Sequence, residues 1–430
     1  MPRFPFNFPG ILMNKIDPKL KNKIFAAIDG SQDRLVATLA ALVGFPTVNP
    51  PGDEQAHQEY VAAELRALGF KPEFYTKENG RPNLVAVRKG SGGGRSLLHY
   101  AGHADVVAAG DEKLWPHPPF SGTVEDGWLY GRGAVDHKAP IAASLGALRA
   151  LAECGVEFAG DLVFMVPVDE ERGSTVGTKY LLEQDVLYGD MGIYASAGFL
   201  EQILISCSGT LTFEIDVIGR ASHSGYPAAG INAIAKAARL VTALTEMKFE
   251  KVNPFWNPAD TDRLKPSRTG TLTVAQIAGG GALNVVPGTC RVAGSRRLIP
   301  TETVDEAKRQ IDELVERLKV EDSDFEAELR YPIGVHGINT PRDAEVVQVV
   351  EAAVRDLGLE PEIGGSSGGF DCRWITDALG IPFVSYGAGW NGPDGKLCLH
   401  APNEAITIAD LVGMAKGFAM IMSRACGVKP

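Results

Sequence analysis

A chain of 430 residues is long for one hydrophobic core, so two domains are the ordinary expectation. With 45% apolar and 22% charged residues it can bury a large core, which excludes a disordered chain. A formal charge of −11 repels phosphate backbones and anionic lipid, and no apolar run is long enough to span a bilayer. Nucleic acid and membrane are therefore excluded as partners, and a small-molecule or peptide-sized ligand is expected.

The first thirty residues mix Pro, Phe and Lys without an apolar run and a small-residue cleavage site, so 1–30 reads as an N-terminal extension and not as a signal peptide. Apolar residues at helical spacing then predict helices over 32–43 and 55–69, and short alternating runs predict strands over 83–88 and 96–100. A helix over 141–151 precedes a buried-looking strand over 161–168. This alternation predicts an α/β sandwich with helices on both faces of a sheet. A second group follows: strand 211–218, helix 232–247, strands 271–277 and 289–296, and helix 304–318. The first pattern resumes after about residue 331, with helix 343–357, strand 382–386 and helix 408–423. The expected organisation is a main domain over 31–207 and 329–430, interrupted by a smaller α+β domain over 208–328. Six cysteines (Cys154, Cys207, Cys290, Cys372, Cys398 and Cys426) lie far apart with no CxxC pair, which fits a reducing cytoplasm.

Four stretches carry residue types able to do chemistry. His103 follows the strand 96–100, and Asp105 two residues on can accept its second ring N–H and fix the tautomer that binds a cation. An ordinary loop hydrogen bond is the alternative. Asp136 ends the glycine-rich run Gly131-Arg132-Gly133-Ala134-Val135, where it can bridge cations or simply cap the next helix. Asp169, Glu170 and Glu171 close the apolar strand 162–168. Adjacent acids there repel unless a cation or donors offset them, although a solvated acidic turn would do. His400, in a loop before the last helix, can complete a mixed nitrogen and oxygen shell suited to zinc, manganese or cobalt.

Taken in order, GHADVV, WPHPPF with DGWLYGRGAVDHK, VDEERGS, GRASHSGYPAAGINAI, GGGALNVVPGTCRV, GGSSGGFDCRW and LHAPNE resemble the acetylornithine deacetylase, succinyl-diaminopimelate desuccinylase and aminoacylase family of metallohydrolases. The likeness runs from about residue 32 to the C-terminus. It implies a zinc-peptidase-like catalytic sandwich interrupted by a dimerisation domain, and one or two divalent ions per chain. It further implies that His103, Asp136, Glu171 and His400 are metal ligands, that Asp105 orients His103, and that Glu170 is the general base. His223, in the SHSG stretch, is expected to reach the partner's site in a homodimer and steady the oxyanion. Asn284 and Arg297, with Gly369 in the glycine-rich loop, are expected to contact substrate.

This chain departs from the family at three places. Ser196 occupies the position of a further acidic ligand, and a neutral hydroxyl replaces a carboxylate poorly toward a hard cation. His137 stands where the family commonly has Met, and reads as a substrate contact or a solvated loop residue. Phe370 replaces a small or hydroxylated residue and, with Trp374 near in sequence, suggests an aromatic pocket or ordinary core packing. The leading expectation is hydrolysis of a C–N bond by water that a metal activates, the default substrate being an amide of an N-acyl amino acid or short peptide. The alternatives are deamination of an aromatic amine, in the manner of nitroanthranilate-type aminohydrolases, and a non-catalytic binding protein on the same fold.

Overall fold

The structure is a computed structural model and describes residues 16–256 and 267–428. The first half of the expected N-terminal extension lies outside those residues. The second half is a helix, Pro18–Gly30, started by Asp17, whose carboxylate accepts from Lys19 N at 3.0 Å, and by Pro18 in the first turn. Its Ile24 and Ile28 are buried, and it packs against the helices Lys138–Glu153 and Ile408–Cys426.

The chain divides into two compact units. One runs to Ile205 and resumes over Thr340–Gly364 and from Trp374; the other comprises Ser206–Asn339 and Gly365–Arg373. In the first, eight strands lie in the order Lys71–Thr76, Pro82–Arg88, Leu162–Val166, Leu97–Tyr100, Met191–Ser196, Phe383–Gly387, Gln202–Cys207 and Glu362–Ser366. The four in the middle, from Leu162–Val166 to Phe383–Gly387, are parallel neighbours. Their side chains are buried throughout, as expected of strands covered on both faces. Helices including Lys138–Glu153, Glu345–Asp356 and Ile408–Cys426 pack against these strands, and Gln55–Ala67 covers the outer antiparallel pair. The α/β layering read from the alternation of patterns is the observed fold.

In the second unit an antiparallel sheet runs Thr271–Gly279, Thr289–Leu298, Gly209–Ile218, Glu326–Arg330, with Gly334–Val335 also paired to Gly209–Ile218. Burial along Gly209–Ile218 alternates residue by residue, the pattern of a sheet with one covered face. The covering helices are Ala233–Thr245 and Val304–Glu321, and Leu211, Phe213, Ile215, Leu240, Ile311 and Leu314 lie in the shared core. Thr303 and Glu306 form a reciprocal cap at the start of the second helix. Residues 329–339 and 365–373 sit with this unit, whereas the sequence pattern assigned them to the main domain. The strands 326–330 and 334–335 are short and polar, so their pairing in the second sheet left no hydrophobic signature. Among the described residues no helix is long and apolar enough to cross a membrane, and none of the six cysteines is paired.

Candidate metal centre

Parallel strands end on the same edge of a sheet, and the loops that leave their carboxyl ends line a crevice there. His103 lies three residues beyond Tyr100, Glu170 and Glu171 follow the strand Leu162–Val166, and Ser196 ends its own strand. Asp136 and His400 come from outside the sheet. A small three-stranded sheet brings them in, pairing Ala405–Thr407 with Trp128–Tyr130 in the register Ala405↔Tyr130. Gly133, at φ +84°, turns the chain between Tyr130 and Asp136; a Cβ there would lie 2.8 Å from Val106 Cγ1.

His103 is 1% exposed, and its Nδ1 lies 2.9 Å from the Asp105 carbonyl oxygen. That contact requires Nδ1 to donate, which leaves Nε2, 3.1 Å from Asp136 Oδ1, as the ring atom that gives a proton to the carboxylate or its lone pair to a cation. Burial opposes a charge on His103, yet Asp105, Asp136 and Glu170 raise its pKa well above the ordinary value. Asp105 itself accepts from Asn49 Nδ2 at 2.9 Å, from Glu170 N at 3.2 Å and from Glu171 N at 3.3 Å. It therefore fixes both the histidine and the acidic turn. Asp169, at φ 66°, holds that turn from the other side: its carboxylate accepts from Asn49 Nδ2 at 3.1 Å and Val176 N at 3.2 Å and faces Arg81 at 3.5 Å.

Asp136 stands at the centre. Its Oδ1 faces His103 and, at 3.2 Å, His137 Nε2; its Oδ2 lies 3.2 Å from His400 Nε2. Burial pushes its pKa up, but His137, His103 and His400 beside it hold the carboxylate well below its usual range. His400 Nε2 also lies 3.1 Å from Glu171 Oε1, and these two carboxylates raise its pKa to about 10. Glu170 Oε2 sits 3.9 Å from His103 Nε2. His137 is only 5% exposed, which removes the solvated-loop alternative; burial lowers its pKa to about 4, against the pull of Asp136. Ser196 Oγ is 3.4 Å from His137 Nε2.

Two groups of ligand atoms result, each within 4.8 Å: His103, Asp136 and His137, then Asp136, Glu171 and His400. They share one carboxylate. Converging imidazole nitrogens and carboxylate oxygens in a mostly buried crevice are the donor chemistry that holds zinc, manganese or cobalt, so the residues fit a divalent cation. The sequence reading did not assign roles to the supports. Glu404 is fully buried, accepts from Val135 N at 2.9 Å and Asp136 N at 3.0 Å, and pairs with Arg132. Arg132 also donates to the His400 carbonyl at 3.1 Å. An acid four residues after His400 was the available signal for Glu404. Asn49, in VNPPG, looks like any turn residue.

The other expected site residues belong to the second unit and are described within it. His223 is exposed on the short ribbon that pairs Ser222–His223 with Val285–Val286, and its Nδ1 accepts from Gly225 N at 3.0 Å. Asn284 is exposed next to that ribbon, and its carbonyl accepts from Ser224 N. Arg297 donates to Thr210 Oγ1 at 2.8 Å, and burial and then the nearby Arg373 lower its pKa. Gly369 leaves room for a guanidinium, since a Cβ there would lie 2.2 Å from Arg373 Nη1. Phe370 is half-buried in this unit. Trp374 belongs to the first, where Lys179 Nζ stands 3.9 Å over its ring.

Comparison with known proteins gives a consistent picture. Residues 99–424 match the model of Peptidase family M20/M25/M40. A succinyl-diaminopimelate desuccinylase of Methylobacterium radiotolerans is 31% identical over 381 residues, covering 86% of this chain and 91% of that protein. Among solved structures, a tripeptidase from Staphylococcus aureus aligns with a TM-score of 0.73 at 24% identity, over 92% of this chain and 98% of its own. A dinuclear metal-binding peptidase of Bacillus subtilis aligns at 0.70 and 17% identity, over 93% and 100%. Both share the fold.

Proposed function

Because this chain belongs to peptidase family M20/M25/M40, whose members are metal-dependent hydrolases of amide bonds, we propose that it hydrolyses N-acyl amino acids or short peptides at a centre built on Asp136. The observation that carries this reading is the single carboxylate whose two oxygens face separate sets of donors. His103, Asp136, Glu171 and His400 would hold the cation or cations, with zinc or manganese the leading candidates. A divalent ion held there would supply Lewis-acid chemistry, polarising the scissile carbonyl and lowering the pKa of water toward about 7.

The chain's own groups do the rest. Glu170, beside His103, takes the proton from the attacking water and passes it to the leaving nitrogen. Asp105 keeps His103 in the tautomer that presents Nε2, and keeps the backbone of Glu170 in place. The likeness to a succinyl-diaminopimelate desuccinylase supports an acyl substrate that carries carboxylates, for which Arg297 offers a planar fork. His223 of the partner subunit is assigned the oxyanion, with Asn284 and Gly369 as substrate contacts, in a homodimer formed through the second unit. Six unpaired cysteines favour a reducing compartment.

The test is turnover of N-succinyl and N-acetyl amino acids, dipeptides and aminobenzoates by the zinc- or manganese-loaded protein and its Glu170→Ala variant. Amide cleavage that drops about 10²- to 10⁴-fold in the variant, with metal content unchanged, is expected. Ammonia release from an aminobenzoate alone would transfer the chain to the deaminase reading. No turnover with tight, Glu170-independent ligand binding would make it a binding protein.

A further inference from the structure

Ser196 leaves one of the two donor groups short of a charged or nitrogen ligand, and the structure puts a histidine against the gap. We propose that His137 is a metal ligand, completing with His103 and Asp136 the first of two cation sites that share the Asp136 carboxylate.

The geometry is specific to this side chain. The Nε2 atoms of His103 and His137 lie 3.1 and 3.2 Å from the same oxygen, Asp136 Oδ1, while His400 approaches Oδ2. The His103 and His137 rings are 4.5 Å apart and inclined at 43°, so they converge on that oxygen and do not stack on each other. His137 is packed against Tyr194 at 5.6 Å and is almost wholly buried, which leaves it no face for a substrate. Its Nδ1 has no hydrogen-bond partner among the described residues, so nothing but the Asp136 and Ser196 contacts of Nε2 engages the ring's polar atoms. Ser196 Oγ lies 3.4 Å from the same Nε2, a contact too long to hold the ring by itself.

Two imidazoles and one carboxylate oxygen make a softer set than the carboxylate pair and single imidazole of the second group. The first site is therefore expected to prefer zinc or cobalt, and the second to accept manganese as well. The proposal rests on the reading of Asp136 as a shared ligand, and the experiment separates the two.

The experiment is elemental analysis of zinc-reloaded unsubstituted protein, Ser196→Ala and His137→Ala, with visible absorption of the cobalt-loaded forms and a zinc-edge anomalous map of the unsubstituted protein. Two ions in the unsubstituted protein and in S196A, one ion and loss of one cobalt absorption component in H137A, and an anomalous peak about 2.0–2.1 Å from His137 Nε2 are expected. The map needs no variant, so it decides the matter even where H137A does not fold. Two ions in H137A, an ion lost in S196A, or zinc seated away from His137 overturns the assignment of His137 alone. No ion in the unsubstituted protein overturns the metal reading itself.

Discussion

His400 and His103 carry opposite kinds of information about the same crevice. His103 is buried and its tautomer is set by a carbonyl; His400 is half-exposed at φ 61° and is held by the carboxylates it meets. Both titrate above the ordinary imidazole, and for His400 the value is about 10. A cation must therefore displace a proton from Nε2 throughout the neutral range. Each unit of acidification between pH 8 and pH 6 is expected to weaken zinc binding at the His400 site about tenfold, read by chelator competition. A flat profile would mean that Asp136 and Glu171 do not hold the proton there. At this scale Glu170 and Glu171 were legible as adjacent acids at a strand end, Asp105 by its spacing from His103, and Asp136 by the glycine-rich run before it. The sequence could not orient His137: one residue past Asp136, a side chain can point to solvent or to the cluster, and only the packing of the folded chain decides.

Two loops distant in sequence reach the crevice because a three-stranded sheet and a buried ion pair tie them together. Glu404 is the knot, with one oxygen on the N–H groups of Val135 and Asp136 and the other on Arg132, which in turn holds the His400 carbonyl. Removing one partner of a buried pair leaves an uncompensated charge and costs about 3–5 kcal/mol. Glu404→Ala is expected to lower the melting temperature by about 5–8 °C and to weaken zinc binding with it. Glu404→Gln keeps the acceptor for both N–H groups and should lose less. A melting scan with and without zinc checks both, and an unchanged E404A would sink the role given to the pair. The strong helices were legible as elements; the span 32–43 read from apolar spacing coincides with Gln32–Val43. The helix Pro18–Gly30 has a start signal in Asp17-Pro18 but buries only Ile24 and Ile28, so its apolar pattern is too weak to mark it in the sequence. The ion pair was beyond reach, because 272 residues separate its partners and no periodicity links them.

The whole chain interrupts one unit with another, and this too was only partly readable. Long amphipathic helices marked the second unit, while the polar strands that close its sheet did not. That sheet ends in the strand Thr271–Gly279, which among the described residues is paired on one side only. Ile277, Leu283 and Val285 of this unit are 54%, 105% and 42% exposed. A free edge beside exposed apolar side chains invites a second copy. Sedimentation at micromolar concentration is expected to give twice the mass of one chain, and Ile277→Asp with Leu283→Asp to halve it; a monomeric unsubstituted protein would end the dimer proposal. Interruption also orders events on the ribosome. Glu171 and His400 are 229 residues apart, with the whole contiguous stretch 206–339 made between them. At about 5–20 residues per second, the nascent chain exposes its early acids for roughly ten to fifty seconds before the histidine that closes the crevice exists. The inserted unit has its full sequence during that wait, so it can be folded before the crevice is complete, and the choice of cation falls to the finished chain.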